Sequence, residues 1–259
     1  MALFIMDNTH QELVKQIIAT SKNQFKENLY GILISGSFLK HSSNNSWSDV
    51  DLLLILKHIQ YSDCILSSNL SLKLQESLGI SVSLDIVSQD TAESVDSIIF
   101  LHTKSFQTLY EAKLFPDKII YKIPDLTLGT PSEQLIKEVS NKNVHYFYQE
   151  IRKNLIRNSL NDKDKLYETL RISIRRLFNM LKMSIQSITL SPCQSKQETL
   201  LQIQTTFPDL DTKILSELIK IIDSWNHNYS TEYLFSILND IFNFSETFYV
   251  EYQNMKASI

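Results

Sequence analysis

The stretch from Tyr30 to Leu56 reads YGILISGSFLKHSSNNSWSDVDLLLIL. An apolar run through Ile32, Leu33 and Ile34 ends in Gly36-Ser37, a polar loop follows, and Asp49-Val50-Asp51 opens a second apolar run. Two carboxylates two residues apart on a strand point to the same face. They follow, about a dozen residues on, a glycine turn of the kind that lets a backbone approach a phosphate. Carboxylates paired in this way suit a divalent metal beside a triphosphate.

Working outward, residues 9–28 carry Leu13, Val14, Ile17, Ile18 and Phe25 near helical spacing and predict an opening helix. Residues 29–35 and 50–56 read as buried strands. A short helix is expected from Ser37 to about His41, and the Ser- and Asn-rich segment to Ser48 reads as a loop. A helix is expected over 66–78, ended by Gly79. In SVSLDIVS, Val82, Leu84 and Ile86 face one way while Ser81, Ser83 and Asp85 face the other, the pattern of a half-buried strand. Residues 118–123 suggest an edge strand before Pro124.

The segment Pro124 to Pro131 holds two of the five prolines and Gly129, and past it the pattern is helical to the end. Thr130-Pro131-Ser132-Glu133 reads as a helix start with a capping Thr and Pro at the first helical position, and Ser195 with Glu198 reads as a second capping box. Apolar stripes run through Leu166, Leu170, Ile174, Leu177 and Leu181, through Leu215, Leu218, Ile222 and Trp225, and through Leu234, Ile237, Leu238, Ile241 and Phe248. The expected architecture is a small α+β domain over residues 1–125, a mixed sheet flanked by helices. An all-α bundle of about five helices over residues 130–259 follows it.

The chain has 259 residues and is 43% hydrophobic, enough to bury a core, and no apolar run is long enough to span a membrane. The segment MALFIMDNTHQEL lacks the basic start of a signal peptide, and Cys64 and Cys193 have no metal or redox spacing. A cytoplasmic location is the expectation. Net charge is −4, yet Arg152 to Lys182 holds nine Lys or Arg against three acids. That strip reads as a phosphate-facing surface or as a solvated, ion-paired helix face. With four glycines in the chain there is no GxxxxGK loop and no GxGxxG, and no HExxH, zinc-like Cys/His set or GxSxG elbow occurs.

Strand, Gly36-Ser37, loop, Asp49-Val50-Asp51 and a later strand with Asp85 resemble the nucleotidyltransferase superfamily that includes DNA polymerase β and the antibiotic nucleotidyltransferases. The resemblance covers about residues 29–87. It implies that Asp49, Asp51 and Asp85 are catalytic and hold two Mg2+ ions, with Asp85 as an extra ligand or as the general base. It also implies that Gly36 and Ser37 offer backbone N–H groups and a hydroxyl to the phosphates of a nucleoside triphosphate, ATP foremost. Lys40 stands where the family usually carries Arg and would contact phosphate as a point charge.

The layout is similar to the kanamycin and lincosamide nucleotidyltransferases, in which the helical half walls the acceptor pocket and a homodimer can complete it. The implied reaction moves AMP to a hydroxyl of a small-molecule acceptor. Alternatives are a tRNA or protein acceptor, or a non-catalytic nucleotide-binding module. A Glu of the helical half, Glu150 or Glu168, is an alternative base, and Arg171, Arg175 and Arg176 are candidates for phosphate contact. No His follows Arg157-Asn158, so RNase activity is not expected.

Overall fold

The computed structural model describes residues 8–35, 50–79, 81–94, 103–157, 162–226 and 228–258. The short helix expected from Ser37 to His41, and the residues Gly36, Ser37, Lys40 and Asp49, lie outside the described residues. The chain divides into two compact units, Met1–Ser132 and Glu133–Ile259.

The first unit is built on a four-stranded mixed sheet: β1 Leu29–Ser35, β2 Val50–Leu56, β3 Val82–Ser88 and β4 Ile119–Lys122, in the order β3-β2-β1-β4. β1 runs antiparallel to both β2 and β4, and β2 runs parallel to β3. A parallel pair needs a long crossover. Helix α2, Tyr61–Leu78, provides it and ends at Gly79 in the left-handed conformation. The central strands are buried on both faces, which is why they read as unbroken apolar runs. In edge strand β3, Val82, Leu84 and Ile86 pack on one face of the sheet and Val87 on the other.

Helix α1, Asn8–Phe25, and α2 cover one face of the sheet, packing Ile17, Phe25, Leu70 and Leu74 on Ile32, Ile34, Leu52, Leu54 and Val82. The other face, Leu33, Leu53, Ile55 and Val87, packs against α3, Gln89–Glu93, and α4, Thr103–Leu114, through Ala92, Leu109 and Ala112. A buried ion pair, Lys118 with Glu111, ties α4 to the turn before β4.

The second unit holds five helices among the described residues: α5 Glu133–Arg157, α6 Lys163–Thr189, α7 Lys196–Thr206, α8 Lys213–Asp223 and α9 Thr231–Ser258. The stripe residues Leu166, Leu170, Ile174, Leu177, Leu215, Leu234, Ile241 and Phe248 are fully buried. Two boundaries differ from expectation. α2 starts at Tyr61, ahead of residue 66, because Asp63 accepts the Gln60 backbone N–H at 2.8 Å and so closes its first turn. α5 starts at Glu133, leaving Thr130 and the buried Pro131 ahead of the helix. Within the described residues no helix is long and apolar enough to cross a membrane.

Candidate active site

Strand register assembles the site. Ser35 on β1 is paired with Asp51 on β2, and Asp51 with Ser83 on β3; the next row on the same face is Leu33, Leu53 and Asp85. Alternation turns Ser35, Asp51, Ser83 and Asp85 to the face that α3 and α4 cover. Asp51 and Asp85 are thus diagonal neighbours on adjacent strands. The resemblance implied that they share a site, and the register makes them neighbours on one face of the sheet.

The opening turns of α4 lie over this row. The Lys104 ammonium is 2.6 Å from Asp51 Oδ1 and donates to Ser83 Oγ at 2.5 Å. Ser105 donates its hydroxyl to Asp85 Oδ2 at 3.1 Å. The hydroxyls of Thr108 and Ser35 are 3.1 Å apart, and Thr108 also donates to the Lys104 carbonyl at 2.9 Å. Residues 104, 105 and 108 share one helical face. Further along, the interface turns apolar at Leu109 and Ala112. A polar seam therefore closes one end of an otherwise apolar helix–sheet contact, and both carboxylates lie in it.

The electrostatics follow from burial. Asp51 stands in a run of Leu and Ile, with its side chain 23% exposed. A carboxylate so placed is unfavourable unless paired. Lys104, itself 32% exposed, provides the positive charge. Lys104, Ser105, Thr108, Ser35 and Ser83 were not singled out in the sequence. The available signal is that Ser105 and Thr108 recur with Leu109 and Ala112 at helical spacing, and both hydroxyl residues are buried.

A groove of about 470 Å³ runs between α2 and β3, lined by Cys64, Ser67, Ser71, Leu84, Asp85 and Ile86. Leu84 and Ile86 face the α1–α2 side, and Asp85, which lies in the seam, also lines the groove. Among the described residues no three His, Cys, Asp or Glu side chains gather as a metal site.

Two of the candidates of the second unit, Glu150 and Arg176, engage each other. Arg176 pairs with Glu150 at 3.1 Å and donates to the Glu150 carbonyl at 2.8 Å, joining α6 to α5, while Lys153 pairs with Glu150 at 3.1 Å. Arg152 lies 3.6 Å from Glu246, which also accepts from the Tyr148 hydroxyl at 2.9 Å. Burial, with Glu246 beside it, pushes the Tyr148 hydroxyl above its usual range. His145 is within 2.8 Å of the Tyr249 hydroxyl, in keeping with a structural role. Arg171 is half-buried, and Arg175 and Glu168 are exposed.

No family profile matches the chain, and no curated protein sequence does. Among solved structures it is similar to the spectinomycin adenyltransferase AAD(9) from Enterococcus faecialis, solved with ATP and spectinomycin. The two are 14% identical with a TM-score of 0.50, over 91% of this chain and 99% of that one. At this identity the likeness is one of fold. A small mixed sheet flanked by helices and followed by a helical half is the fold class expected from the sequence, and it is shared with that structure.

Proposed function

We propose that the chain is a metal-dependent nucleotidyltransferase that moves AMP from ATP to a hydroxyl of a small-molecule acceptor, of the aminoglycoside or lincosamide type or a related antibiotic. The observation that carries this reading is the pair Asp51 and Asp85, held on one face of the sheet on adjacent strands. The neighbouring fold, that of an adenyltransferase solved with ATP and spectinomycin, supports the donor and the acceptor class.

The residues fit a magnesium site. Carboxylate oxygens are the hard ligands that Mg2+ prefers, and Asp51 already draws a cation, the Lys104 ammonium. Asp49 and Asp51 would hold the metal. Bound there, magnesium supplies charge neutralisation of the triphosphate and polarises the acceptor oxygen. Gly36 and Ser37 bind phosphate through backbone N–H groups and a hydroxyl, and Lys40 adds a positive charge. Asp85 takes the proton of the acceptor hydroxyl while that oxygen bonds to the α-phosphorus. The bond from the α-phosphorus to the bridging oxygen breaks, and pyrophosphate leaves. The Ser105 hydroxyl on Asp85 Oδ2 orients that carboxylate.

A macromolecular acceptor, tRNA or protein, would draw on the basic strip at 152–182. Arg152, Lys153 and Arg176 are matched there by Glu246 and Glu150, which favours the small-molecule reading.

The test is transfer of label from α-labelled ATP, GTP, CTP and UTP with Mg2+, in the presence of aminoglycosides, spectinomycin, lincosamides or tRNA. Label on a small molecule with released pyrophosphate is expected. Asp51→Asn is expected to lower the rate at least about 100-fold, because even residues behind metal ligands are worth 10–100-fold. Label on tRNA or on a protein moves the acceptor to the macromolecular class. Mg2+-dependent nucleotide binding with no transfer to any acceptor points to a non-catalytic module.

A further inference from the structure

We propose that Lys104 is a positioning residue, a built-in counter-ion that competes with the divalent cation for Asp51 and thereby makes metal loading depend on the nucleotide. The inference rests on the reading of Asp51 as a metal ligand.

The ammonium is held by more than one attraction. It contacts Asp51 Oδ1 and the Ser83 hydroxyl together, at 2.6 Å and 2.5 Å. Its helix is fastened to the sheet just beyond it, by Ser105 on Asp85, Thr108 beside Ser35, and the buried Leu109 and Ala112. The positive charge is therefore presented by an anchored helix. At this partly buried site the attraction is less screened than on an open surface.

One carboxylate oxygen cannot keep both cations at full strength. Magnesium sits about 2.0–2.1 Å from an oxygen ligand. An ammonium hydrogen-bonded to the same oxygen would then lie within a few ångströms of the metal, and the two repel. Bare metal must displace the ammonium and leave it facing a dication. A nucleoside triphosphate changes the balance, because its phosphate oxygens accept the displaced ammonium while they ligate the metal. Lysine suits the exchange: it is a point charge on a four-carbon stem, free to swing from one oxygen to another, whereas a guanidinium fork is geometrically committed.

Two consequences separate this role from simple charge neutralisation. Metal alone binds weakly to the native chain and more tightly with nucleotide. Removing the ammonium strengthens binding of metal alone and weakens the coupling. A lysine that only offsets a buried carboxylate would alter folding stability and leave the coupling in place.

The experiment is Mn2+ binding to the full chain, by the electron paramagnetic resonance of free Mn2+, without nucleotide and with α,β-methylene-ATP. Lys104→Met is expected to tighten Mn2+ binding without nucleotide about tenfold, the size of effect a neighbouring charge exerts on a carboxylate's affinity for a cation. It is also expected to remove most of the enhancement given by the nucleotide. Lys104→Arg keeps the charge and is expected to stay near the native affinity. Unchanged or weaker Mn2+ binding in Lys104→Met, with binding still abolished by Asp51→Asn, overturns the proposal and leaves the metal site standing. Mn2+ binding that ignores Asp51→Asn overturns the metal site itself and the proposal with it. Should Lys104→Met fail to fold by circular dichroism, Ser83→Ala removes the second anchor of the ammonium and leaves the helix–sheet contacts. It is expected to tighten binding of Mn2+ alone in the same direction, and no change overturns the proposal.

Discussion

A methyl group on Gly129 would meet the Glu93 carbonyl oxygen at 2.9 Å and the Ala92 carbonyl oxygen at 3.4 Å. The Gly129 N–H donates to that same Ala92 oxygen at 2.8 Å, so the two backbones are held at this separation. Backbone atoms cannot turn aside as a side-chain end can. Gly129→Ala is expected to lower stability by about 1–3 kcal/mol, seen as a lower urea midpoint at unchanged slope. An unmoved midpoint would mean that the segment around Gly129 yields freely. Gly79, with φ +66° and nothing within 4 Å of an added methyl, carries only the local strain of a left-handed residue. The contrast explains what single residues disclose in the sequence. Gly79 was legible as a helix end because its constraint is local. Gly129 was legible only as a boundary marker, because its constraint comes from the distant end of α3. Asp51 and Asp85 likewise stood out against their strands, whereas Lys104 is defined by a contact between separate elements.

Strands were read well at the scale of elements because packing writes itself into their pattern, continuous burial in β1 and β2 and apolar residues alternating with polar ones in β3. Helix starts were read unevenly. α7 opens as expected: Ser195 Oγ accepts the Glu198 N–H at 3.0 Å, and Glu198 accepts the Gln194 N–H at 2.6 Å. The start of α2 was missed because Gln60 is not a usual capping residue; Asp63 closes the turn. α7 also carries a local conflict. Lys196 is its first residue, a cation at the positive end of the helix dipole. Burial chiefly, then Lys182 and Arg175, lowers its affinity for a proton, against the pull of Asp223. Its folded pKa therefore lies below its unfolded value, and the unfolded chain holds more protons between the two. Stability consequently rises as pH climbs through that alkaline window. Below that window the folded chain bears the full strain. Lys196→Gln is expected to raise stability at pH 7 by about 0.5–1 kcal/mol and to flatten the alkaline rise. Thermal melts at pH 7 and pH 10 measure both, and a lowered midpoint at pH 7 refutes the assignment.

At the scale of the whole molecule, the sequence placed the change from α+β to all-α near Pro124–Pro131, and the compact units meet at Ser132 and Glu133. The stripes identified helices but not which helices pair, because an apolar face is compatible with many partners. Polar contacts inside the second unit supply that choice. Asn154 on α5 donates to the Thr169 carbonyl at 3.0 Å and to Ser173 Oγ at 2.9 Å, fixing α5 against α6. Gln186 donates to Ser140 Oγ at 3.1 Å along the same pair. The Ser187 and Tyr252 hydroxyls, 2.8 Å apart, fasten α6 to α9. These buried groups find their partners within Glu133–Ile259, and each would be unfavourable without one. The unit has the size of an ordinary domain and buries apolar residues from all five of its described helices. A fragment of residues 133–259 is therefore expected to fold alone, with strong helical circular dichroism and one cooperative thermal transition. A helical but uncooperative fragment that binds a hydrophobic dye would show instead that its packing is completed by residues 1–132.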